Sequence, residues 1–464
     1  MQNKTDQTAR ERRAVMFTVI ATSFVTAFAA SSLNIAIPVI GREFHSAATE
    51  LSWTVTAYFL CVVALSVPFG RLADISGKRR IYVIGILIFG AMSGMCAMSA
   101  SLSMLVAFRV FQGVGTAMIF ATNTAIIADV YPPEKRGRVL GISVAFIYTG
   151  LSVGPVVGGL ITHHLGWRYT FALSGAVALA AFVIAFSKLP KSLAKGQGSL
   201  KHMDSVGILL YIAWAVTLMY GLTIFTQSAA SYILTASGIA LLFMFVKFEI
   251  KADNPVIEIR LFKNINFMLS NLAALFNYGA TFAVGYLLSI YLQMVKGYGA
   301  DVSGLVLIIQ PIVQAIVSPV AGRLSDRHSP YRIASLGMGV CTASLAVFIF
   351  MDAATPIWAI LANLAACGFG VALFSSPNTN AIMSGVQPRD YGVASSLTST
   401  MRTMGQVVSM AIITIIMNVV IGHVPIGEAG ADGLIQSMRT GFIVFVCVCA
   451  AGAAISLQRK PKRA

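Results

Sequence analysis

The sequence predicts an all-α polytopic membrane protein, and three observations support this fold class. Hydrophobic residues make up 57% of the 464 positions and charged residues only 11%, whereas an ordinary globular protein carries about 25% charged residues. The apolar residues form runs of about 20 or more, the length that crosses a bilayer as a helix. The basic residues, which give a net charge of +16, lie in short clusters between those runs. We interpret these clusters as topology signals and anchors at an anionic membrane surface, not as a nucleic-acid interface.

The apolar runs define fourteen predicted spans, most of them joined by short polar turns. The first run follows a polar, basic tail and is too long for the apolar region of a signal peptide, and it has no cleavage site, so we interpret it as a span. The predicted spans are 14–40, 51–70, 81–100, 103–129, 139–162, 170–189, 205–225, 231–249, 266–293, 302–322, 332–351, 356–383, 393–421 and 439–457.

The distribution of lysine and arginine predicts the orientation of the chain. Loops on one side of the predicted spans, together with both tails, carry 27 of the 33 lysines and arginines, and loops on the other side carry four. Because basic loops face the cytoplasm, both termini are expected to be cytoplasmic. We therefore expect a multi-pass protein of a prokaryotic cytoplasmic (inner) membrane.

The sequence repeats itself at an offset of about 255 residues. Residues 113–137 align without a gap with residues 368–392, and the GRLAD motif at 70–74 recurs as GRLSD at 322–326. A loop motif and a helix motif that recur at nearly one offset indicate two parallel six-span halves. The predicted organisation is an N-tail (1–13), a six-helix bundle (14–190), two inserted helices with flanking loops (191–264), a second six-helix bundle (265–457) and a basic C-tail (458–464).

The loop GRLADISGKRR after the second span contains residue types suited to close helix contact and to charged pairing at the cytoplasmic surface. Gly70 permits close helix contact, Asp74 can cap a facing helix N-terminus, and Gly77 can turn the chain. Asp129, at the cytoplasmic end of the fourth span, is a candidate partner for Arg71. The residues of this motif and its candidate partner are Gly70, Arg71, Asp74, Gly77, Lys78, Arg79 and Asp129, with Arg323 and Asp326 from the repeated copy.

Two further motifs lie inside spans. Arg109, in RVFQGVGTA, is predicted to lie about 10 Å inside the membrane at 1.5 Å per residue, and an intramembrane arginine suggests a functional site. The fifth span contains GLSVGPVVGG, in which glycines allow close helix approach and a proline bends the helix. The residues of this motif are Gly150, Gly154, Pro155, Gly158 and Gly159.

Together these motifs resemble the major facilitator superfamily, whose loop signature and fourth-span and fifth-span patterns they match. The fourteen-span count, with SSLNIAIP at 31–38 and SWTVTAYFL at 52–60, is similar to the fourteen-span drug:proton antiporter branch of multidrug efflux type. The resemblance covers nearly the whole chain. It implies a monomeric secondary transporter that exports small amphipathic molecules by alternating access, with protons as the exchanged ion, and a role in antibiotic resistance. In the family, exporters share the fifth-span motif, and the loop cluster latches the two halves together on the cytoplasmic side. The resemblance therefore implies that the loop motif, with Asp129 and the repeated copy, forms a cytoplasmic gate here.

One departure from that branch concerns charge. The first span usually carries an acidic residue nine positions before its proline, but here Pro38 puts Ala29 at that position, and no predicted span has a central carboxylate. Two cations, Arg109 and Arg402, are predicted to be buried instead, which favours a neutral or anionic substrate. Arg402 could equally be paired with helix carbonyls or with Asp129. Protons could couple through boundary acids such as Glu50, Asp74 or Asp129, and a uniporter stays possible.

Other polar residues are expected to line a central cavity between the halves, although each could instead bond a neighbouring helix. They are Asn34, Tyr58, Gln112, Asn123, Tyr148, Asn277, Tyr278, Gln310, Gln314, Asn378 and Gln406. The six cysteines lie in apolar runs without metal-type spacing, so we expect neither a metal nor a cofactor.

Three other classes of protein are less well supported by the sequence. A membrane enzyme would show an intramembrane catalytic cluster, and a receptor would usually add a soluble output domain. No Walker motif is present, so ATP is not expected to drive the protein directly. An importer or uniporter of an anionic or neutral metabolite is the closest alternative.

Overall fold

The structure is a computed structural model of the chain. It describes residues 2–131, 133–190, 193, 204–225, 230–252, 255–257, 259–386, 391–422 and 424–459, apart from some side chains within its helices. The helices are α1 (Gln2–Phe44), α2 (Ala48–Ser76), α3 (Lys78–Ala97), α4 (Leu102–Val130), α5 (Pro133–His164), α6 (Arg168–Lys188), α7 (Ser205–Thr223), α8 (Ala230–Glu249), α9 (Ile265–Thr281), α10 (Val284–Ile290), α11 (Ala300–Leu307), α12 (Ile309–Arg327), α13 (Pro330–Phe348), α14 (Ile357–Ser384), α15 (Tyr391–Val420) and α16 (Ala431–Leu457).

The all-α membrane class is confirmed. Over the described ranges, thirteen segments are long and apolar enough to cross a membrane, counting α9 with α10 and α11 with α12 as one segment each. The fourteenth long helix, α5, has 32 residues and packs along α1. α1 continues through residues 2–13, which contain no glycine or proline to stop a helix.

The ends of several helices follow from local sequence signals. Ser101 begins α4, and its Oγ accepts a hydrogen bond from the Met104 N–H at 3.2 Å. Asn264 begins α9 in the same way, with its Oδ1 accepting from Asn266 N–H at 3.1 Å. Such caps satisfy N–H groups that have no partner inside the helix. Gly77 joins α2 to α3 with a φ of 101°, a conformation that favours glycine.

The predicted ninth span is not one continuous helix. α9 ends at Thr281, α10 begins at Val284, and a π-helical turn covers Tyr291–Val295. At the break, the Ala283 N–H donates to Oγ of Ser409 on α15 at 3.1 Å. A side chain from the neighbouring helix thus satisfies a backbone group that lipid could not.

The internal repeat is visible in how the helices pack. In the first half α1 packs on α5 and α6, α2 on α4, and α3 on α4 and α6. The same five pairings recur in the second half as α9 with α15 and α16, α12 with α14, and α13 with α14 and α16. The helices α7 and α8 form a hairpin between these halves in sequence, and α7 packs against both α2 and α15. The domain boundaries given above stay predictions.

Candidate functional site

The glycine–proline motif of α5 lies at the junction between the two halves. We name the end where α1 begins and α16 ends the termini end, and the opposite end the far end. A Cβ atom at Gly150 would lie 2.5 Å from the Phe24 carbonyl oxygen of α1, and one at Gly158 would lie 2.5 Å from Cβ of Ser32. Gly154 is packed equally closely on Ser31. Three glycines of the motif therefore allow α5 to lie directly against α1.

The other face of the motif contacts the second half of the chain. A Cβ atom at Gly159 would lie 2.5 Å from the Ala300 carbonyl oxygen of α11. Gly304 of α11 likewise packs closely on the Pro155 carbonyl of α5. Because these are backbone atoms, neither side can yield by rotating a side chain. The motif thus forms a close joint between the halves, and we name it the α5–α11 joint.

Hydrogen bonds between the halves reinforce this closure at the far end. Ser289 Oγ donates to the Asn34 carbonyl at 2.6 Å, and Tyr286 Oη donates to the Ala48 carbonyl at 3.0 Å. Thr414 Oγ1 donates to Ser52 Oγ at 2.8 Å. His163 Nδ1 lies 3.4 Å from Oδ1 of Asp301 across the same junction. The structure is therefore closed at its far end.

Arg109 lies inside the first half and is only 1% exposed. Its Nε donates to the Thr54 carbonyl at 2.8 Å and its Nη1 to Oε1 of Gln112 at 2.5 Å, while its guanidinium lies 4.1 Å from the centre of the Tyr58 ring. Gln112 in turn donates to Ser93 Oγ at 2.6 Å. The Nη2 atom is buried and has no hydrogen-bond partner among the described atoms. The structure thus brings together three predicted site residues, Arg109, Tyr58 and Gln112, around one buried and partly unpaired cation.

The remaining predicted cavity residues divide into two groups by burial. Arg402 is half-buried on α15, one turn before Gln406, and has no ion-pair or hydrogen-bond partner within the described part of the chain. Asn277 is fully buried, with neither amide atom paired there. The half-buried group is Asn34, Asn123, Tyr278, Gln310, Arg402 and Gln406. The buried group is Tyr58, Gln112, Asn277, Gln314 and Asn378. The Tyr148 side chain lies outside the described residues.

The gate motif at the termini end pairs differently from the expectation. Asp129 is bonded to Lys78, with Nζ and Oδ2 2.7 Å apart, and not to Arg71. Arg71 instead donates to the Pro255 carbonyl, in the segment that follows α8. Arg79 Nη2 donates to the Phe186 carbonyl of α6 at 2.5 Å. The pairing with Arg71 was wrong because the short turn at Gly77 puts Lys78 nearer to α4.

Other gate residues and Glu50 lie near the surface. Asp74 is exposed at the end of α2, and a Cβ atom at Gly70 would meet nothing within 4 Å, so Gly70 makes no close helix contact. Arg323 is exposed, and the Asp326 side chain lies outside the described residues. Glu50 is exposed at the far end, where its Oε2 accepts a hydrogen bond from the Ala47 N–H at 3.2 Å. In this structure Glu50 therefore caps the start of α2.

Comparison with known families agrees with this architecture. The family model described as Major Facilitator Superfamily matches residues 19–410, and again residues 270–464. The chain belongs to the Major Facilitator Superfamily. It is thus a multi-pass membrane protein of a family of secondary transporters that act on small molecules.

Members of this superfamily with curated names include transporters of different substrates. The chain is 31% identical to the riboflavin transporter RibZ of Clostridioides difficile, over 82% of this chain and 83% of that one. It is 28% identical to the multidrug resistance protein Stp of Mycobacterium tuberculosis, over 86% of this chain and 75% of that one. It is 25% identical to the methylenomycin A resistance protein of Bacillus subtilis, over 83% of each chain.

Solved superfamily structures show the same fold. The inward-facing, occupied form of a bacterial homologue of the human lysosomal transporter Spinster aligns with a TM-score of 0.69 and 15% identity, covering 96% of both chains. At this identity the comparison concerns the fold alone.

The sequence did not single out Arg459, which is 4% exposed in the structure. Its Nη1 donates to Oδ1 of Asn378 at 2.6 Å and to Ser270 Oγ at 3.1 Å, and its Nε donates to the Ser456 carbonyl at 2.9 Å. Burial lowers the pKa of Arg459 to about 10, so the side chain stays charged at neutral pH. One side chain thereby ties α9, α14 and α16 together at the termini end of the second half. The only signal in the sequence is the repeated Asn123/Asn378 pair, since Asn123 likewise bonds the first helix of its half, through Ser23 at 3.1 Å.

Replacing Arg459 by alanine is expected to destabilise this superfamily member. The variant leaves Asn378 Oδ1 and Ser270 Oγ without their charged donor, and a hydrogen bond to a charged group contributes about 1.5–3 kcal/mol. Thermal unfolding in detergent should show a lower midpoint for Arg459→Ala than for Arg327→Ala, which removes an exposed arginine. Equal midpoints for the two variants would contradict the assigned role.

Proposed function

We propose that this protein exports small neutral or anionic amphipathic molecules from the cytoplasm in exchange for protons. It does so as a monomer in a prokaryotic cytoplasmic membrane, with both termini in the cytoplasm. The observation that carries the proposal is the α5–α11 joint, because the exporter-type motif forms the seal between the halves at the far end. With cytoplasmic termini, this seal is the outer gate of an alternating-access cycle.

The proposed direction of transport rests on the fifth-span motif, which exporters of the family share, since a seal at the far end is needed in either direction. A packed backbone joint has two discrete arrangements, closed and separated, and does not deform continuously. Substrate loaded from the cytoplasm is therefore held from the outside until the joint separates. Relatives named for multidrug and methylenomycin A resistance are consistent with outward transport.

The proposed substrate charge rests on the groups that lie within the helices. Ala29, 3% exposed in α1, stands where the related branch carries an acid. Arg109 retains a buried, unpaired Nη2, and Arg402 is half-buried with no ion-pair or hydrogen-bond partner among the described side chains. Because a buried cation is stabilised by an anion or by hydrogen-bond acceptors, these positions favour a substrate that brings carbonyl, phenolate or carboxylate oxygens. A monovalent cationic drug would find no described carboxylate to pair with there.

Uptake or facilitated diffusion of a neutral metabolite is the second candidate. The observation that favours it is the 31% identity to a riboflavin transporter over most of both chains. Riboflavin is an uncharged amphipathic molecule with many oxygen and nitrogen acceptors, so it fits the same charge argument as an exported drug.

Transport in membrane vesicles of known orientation tests both candidates. Inside-out and right-side-out vesicles should be assayed with an imposed pH gradient and three probes: riboflavin, the anion fluorescein and the cation ethidium. We expect gradient-dependent accumulation of riboflavin or fluorescein in inside-out vesicles only, and no accumulation of ethidium. Accumulation in right-side-out vesicles alone would favour the importer. Strong ethidium transport would contradict the proposed substrate charge, and transport that ignores the pH gradient would contradict proton coupling.

A further inference from the structure

The hairpin of α7 and α8 carries a buried carboxyl group that the sites described above do not use. Glu249 is the last residue of α8 and is only 3% exposed. Its Oε2 accepts a hydrogen bond from the Ile257 N–H at 3.0 Å. Its Oε1 is also buried but has no hydrogen-bond partner among the described atoms. A buried carboxyl oxygen without a partner is costly, because burial removes the water that would otherwise bond it.

A second carboxyl group faces this oxygen from the start of α7. Asp204 caps α7, with its Oδ1 accepting from the Gly207 N–H at 2.8 Å, while its Oδ2 is buried and unpaired within the described structure. A Cβ atom at Gly207 would lie 2.5 Å from Oδ2 of Asp204 and 2.6 Å from Oε1 of Glu249. The two unpaired oxygens therefore border the same small space, which exists because residue 207 has no side chain.

Two carboxyl groups in such an arrangement cannot both be ionised without mutual repulsion. The simplest relief is a proton bound to one of the two carboxyl groups, in the space that both unpaired oxygens border. The proton removes the repulsion between the two groups. It leaves the backbone hydrogen bonds to Oδ1 and Oε2 in place.

The charges around the pair place it beside the gate motif. Arg71 of α2 and Asp204 are the charged side chains that act on the Glu249 carboxyl, and Arg71 also donates to the Pro255 carbonyl just beyond α8. On the same stretch of chain, Lys247 and Lys251 point to the exposed surface. Lys201, His202, Asp253 and Glu258 lie outside the described residues. A proton on the pair thus changes the charge that faces Arg71.

We propose that Glu249 and Asp204 form a proton-binding site, brought to the termini end by the two inserted helices. Its role as the proton partner of export rests on the proposed function, but proton binding itself does not. The site supplies a carboxyl group beside Arg71, whereas the spans themselves carry none at their centre. One proton binds to the pair, and its release leaves two negative charges opposite Arg71.

Infrared difference spectroscopy of the purified full-length protein in lipid tests the site without any transport substrate. The C=O stretching band of a protonated carboxyl should persist above about pH 5, where exposed Asp and Glu side chains are already ionised. We expect this band to be lost in Glu249→Gln and in Asp204→Asn, since either change removes one of the two sharing groups. Both amides keep a carbonyl oxygen for the backbone hydrogen bonds, so the fold should survive, and either variant alone is sufficient for the test.

The matched control is Glu428→Gln, which removes an exposed carboxyl at the far end and should leave the band unchanged. A band that persists in both amide variants would overturn the proposal. So would a band that sodium or potassium suppresses at constant pH, because the pair would then hold a metal cation in place of the proton. If wild-type vesicles show no proton-coupled transport, the proposed function fails while the infrared result still decides the site.

In vesicles that do transport, each amide variant is expected to lose the dependence of accumulation on the pH gradient. Downhill movement of riboflavin or fluorescein should continue, because the α5–α11 joint and Arg109 are untouched. Wild-type dependence on the pH gradient in both variants would show that the pair does not act as the proton partner of export.

Discussion

Replacing Gly159 by leucine is expected to reduce transport at least about tenfold, because the far end can no longer close. A Cβ atom at this position would lie 2.5 Å from the carbonyl oxygen of Ala300, and that backbone atom can move only if α11 moves. α11 would therefore separate from α5, and the population would shift toward a form open at the far end. A tenfold shift of the equilibrium between the closed and the open form corresponds to about 1.4 kcal/mol of free energy. The free-energy cost of a clash with a backbone atom is larger than this.

Two measurements check this expectation. Initial transport rates in proteoliposomes give the loss of function. Spin labels at Met98 and Phe350, exposed positions that follow α3 and α13 at the far end of each half, give the separation of the halves. Cys447 is the exposed cysteine among the six and would first be replaced by alanine. The distance between the labels should lengthen in Gly159→Leu.

Gly94→Leu is the matched control for this experiment. Gly94 also lies within a helix, but a Cβ atom there would meet nothing within 4 Å. We expect wild-type transport and an unchanged distance in this control. Wild-type transport in Gly159→Leu would show that the joint is not a gate.

Replacing Arg109 by methionine is expected to abolish transport while leaving the protein folded. Methionine fills much of the same volume without a charge, and replacing a buried charged group by a well-packed apolar one is often neutral or stabilising. What is lost is the only cation of the network formed by Thr54, Tyr58 and Gln112. The unpaired Nη2 is the donor that we expect to engage substrate, or a moving partner, in another state of the cycle.

The conservative variant sharpens this test. Arg109→Lys keeps the charge, but a single ammonium group cannot reproduce the planar fork that reaches both Thr54 and Gln112. Transport is therefore expected to fall in this variant too, by at least about tenfold, or about 1.4 kcal/mol. Thermal unfolding in detergent should show that the Arg109→Met and Arg109→Lys variants are both folded. Arg13→Met removes an exposed arginine in the first part of α1 and should behave as wild type. Full transport by Arg109→Met would contradict this role and show that Arg109 contributes only to packing.

The architecture could largely be predicted because lipid imposes a simple length and composition on each span. The repeated motifs also indicated equivalent halves, and the recurring helix pairings agree. The sequence could not reveal that the ninth span breaks at Phe282 and Ala283, because the flanking Gly279 and Gly285 are also frequent inside unbroken membrane helices. The break is stabilised by Ser409 from a helix more than 120 residues away.

The candidate site was less predictable, because its partners are distant in sequence and nearly equivalent in type. Asp129 had basic candidates on both sides of the turn between α2 and α3, Arg71 and Lys78, and only the geometry at Gly77 decides for Lys78. Glu249 and Asp204 each look like ordinary loop-proximal acids. Their approach depends on the hairpin of α7 and α8, which brings residues 45 positions apart to the same side of Gly207.

The position of α7 makes the two sides of the protein unequal toward the bilayer. Of the two seams where the halves meet along their length, α7 covers the one between α2 and α15, whereas α5 and α12 form the other. Lipid tails and membrane-dissolved solutes are therefore screened from the first seam by a protein wall. Within the described part of the chain, a membrane-dissolved molecule would therefore meet the junction between the halves more directly along the seam of α5 and α12.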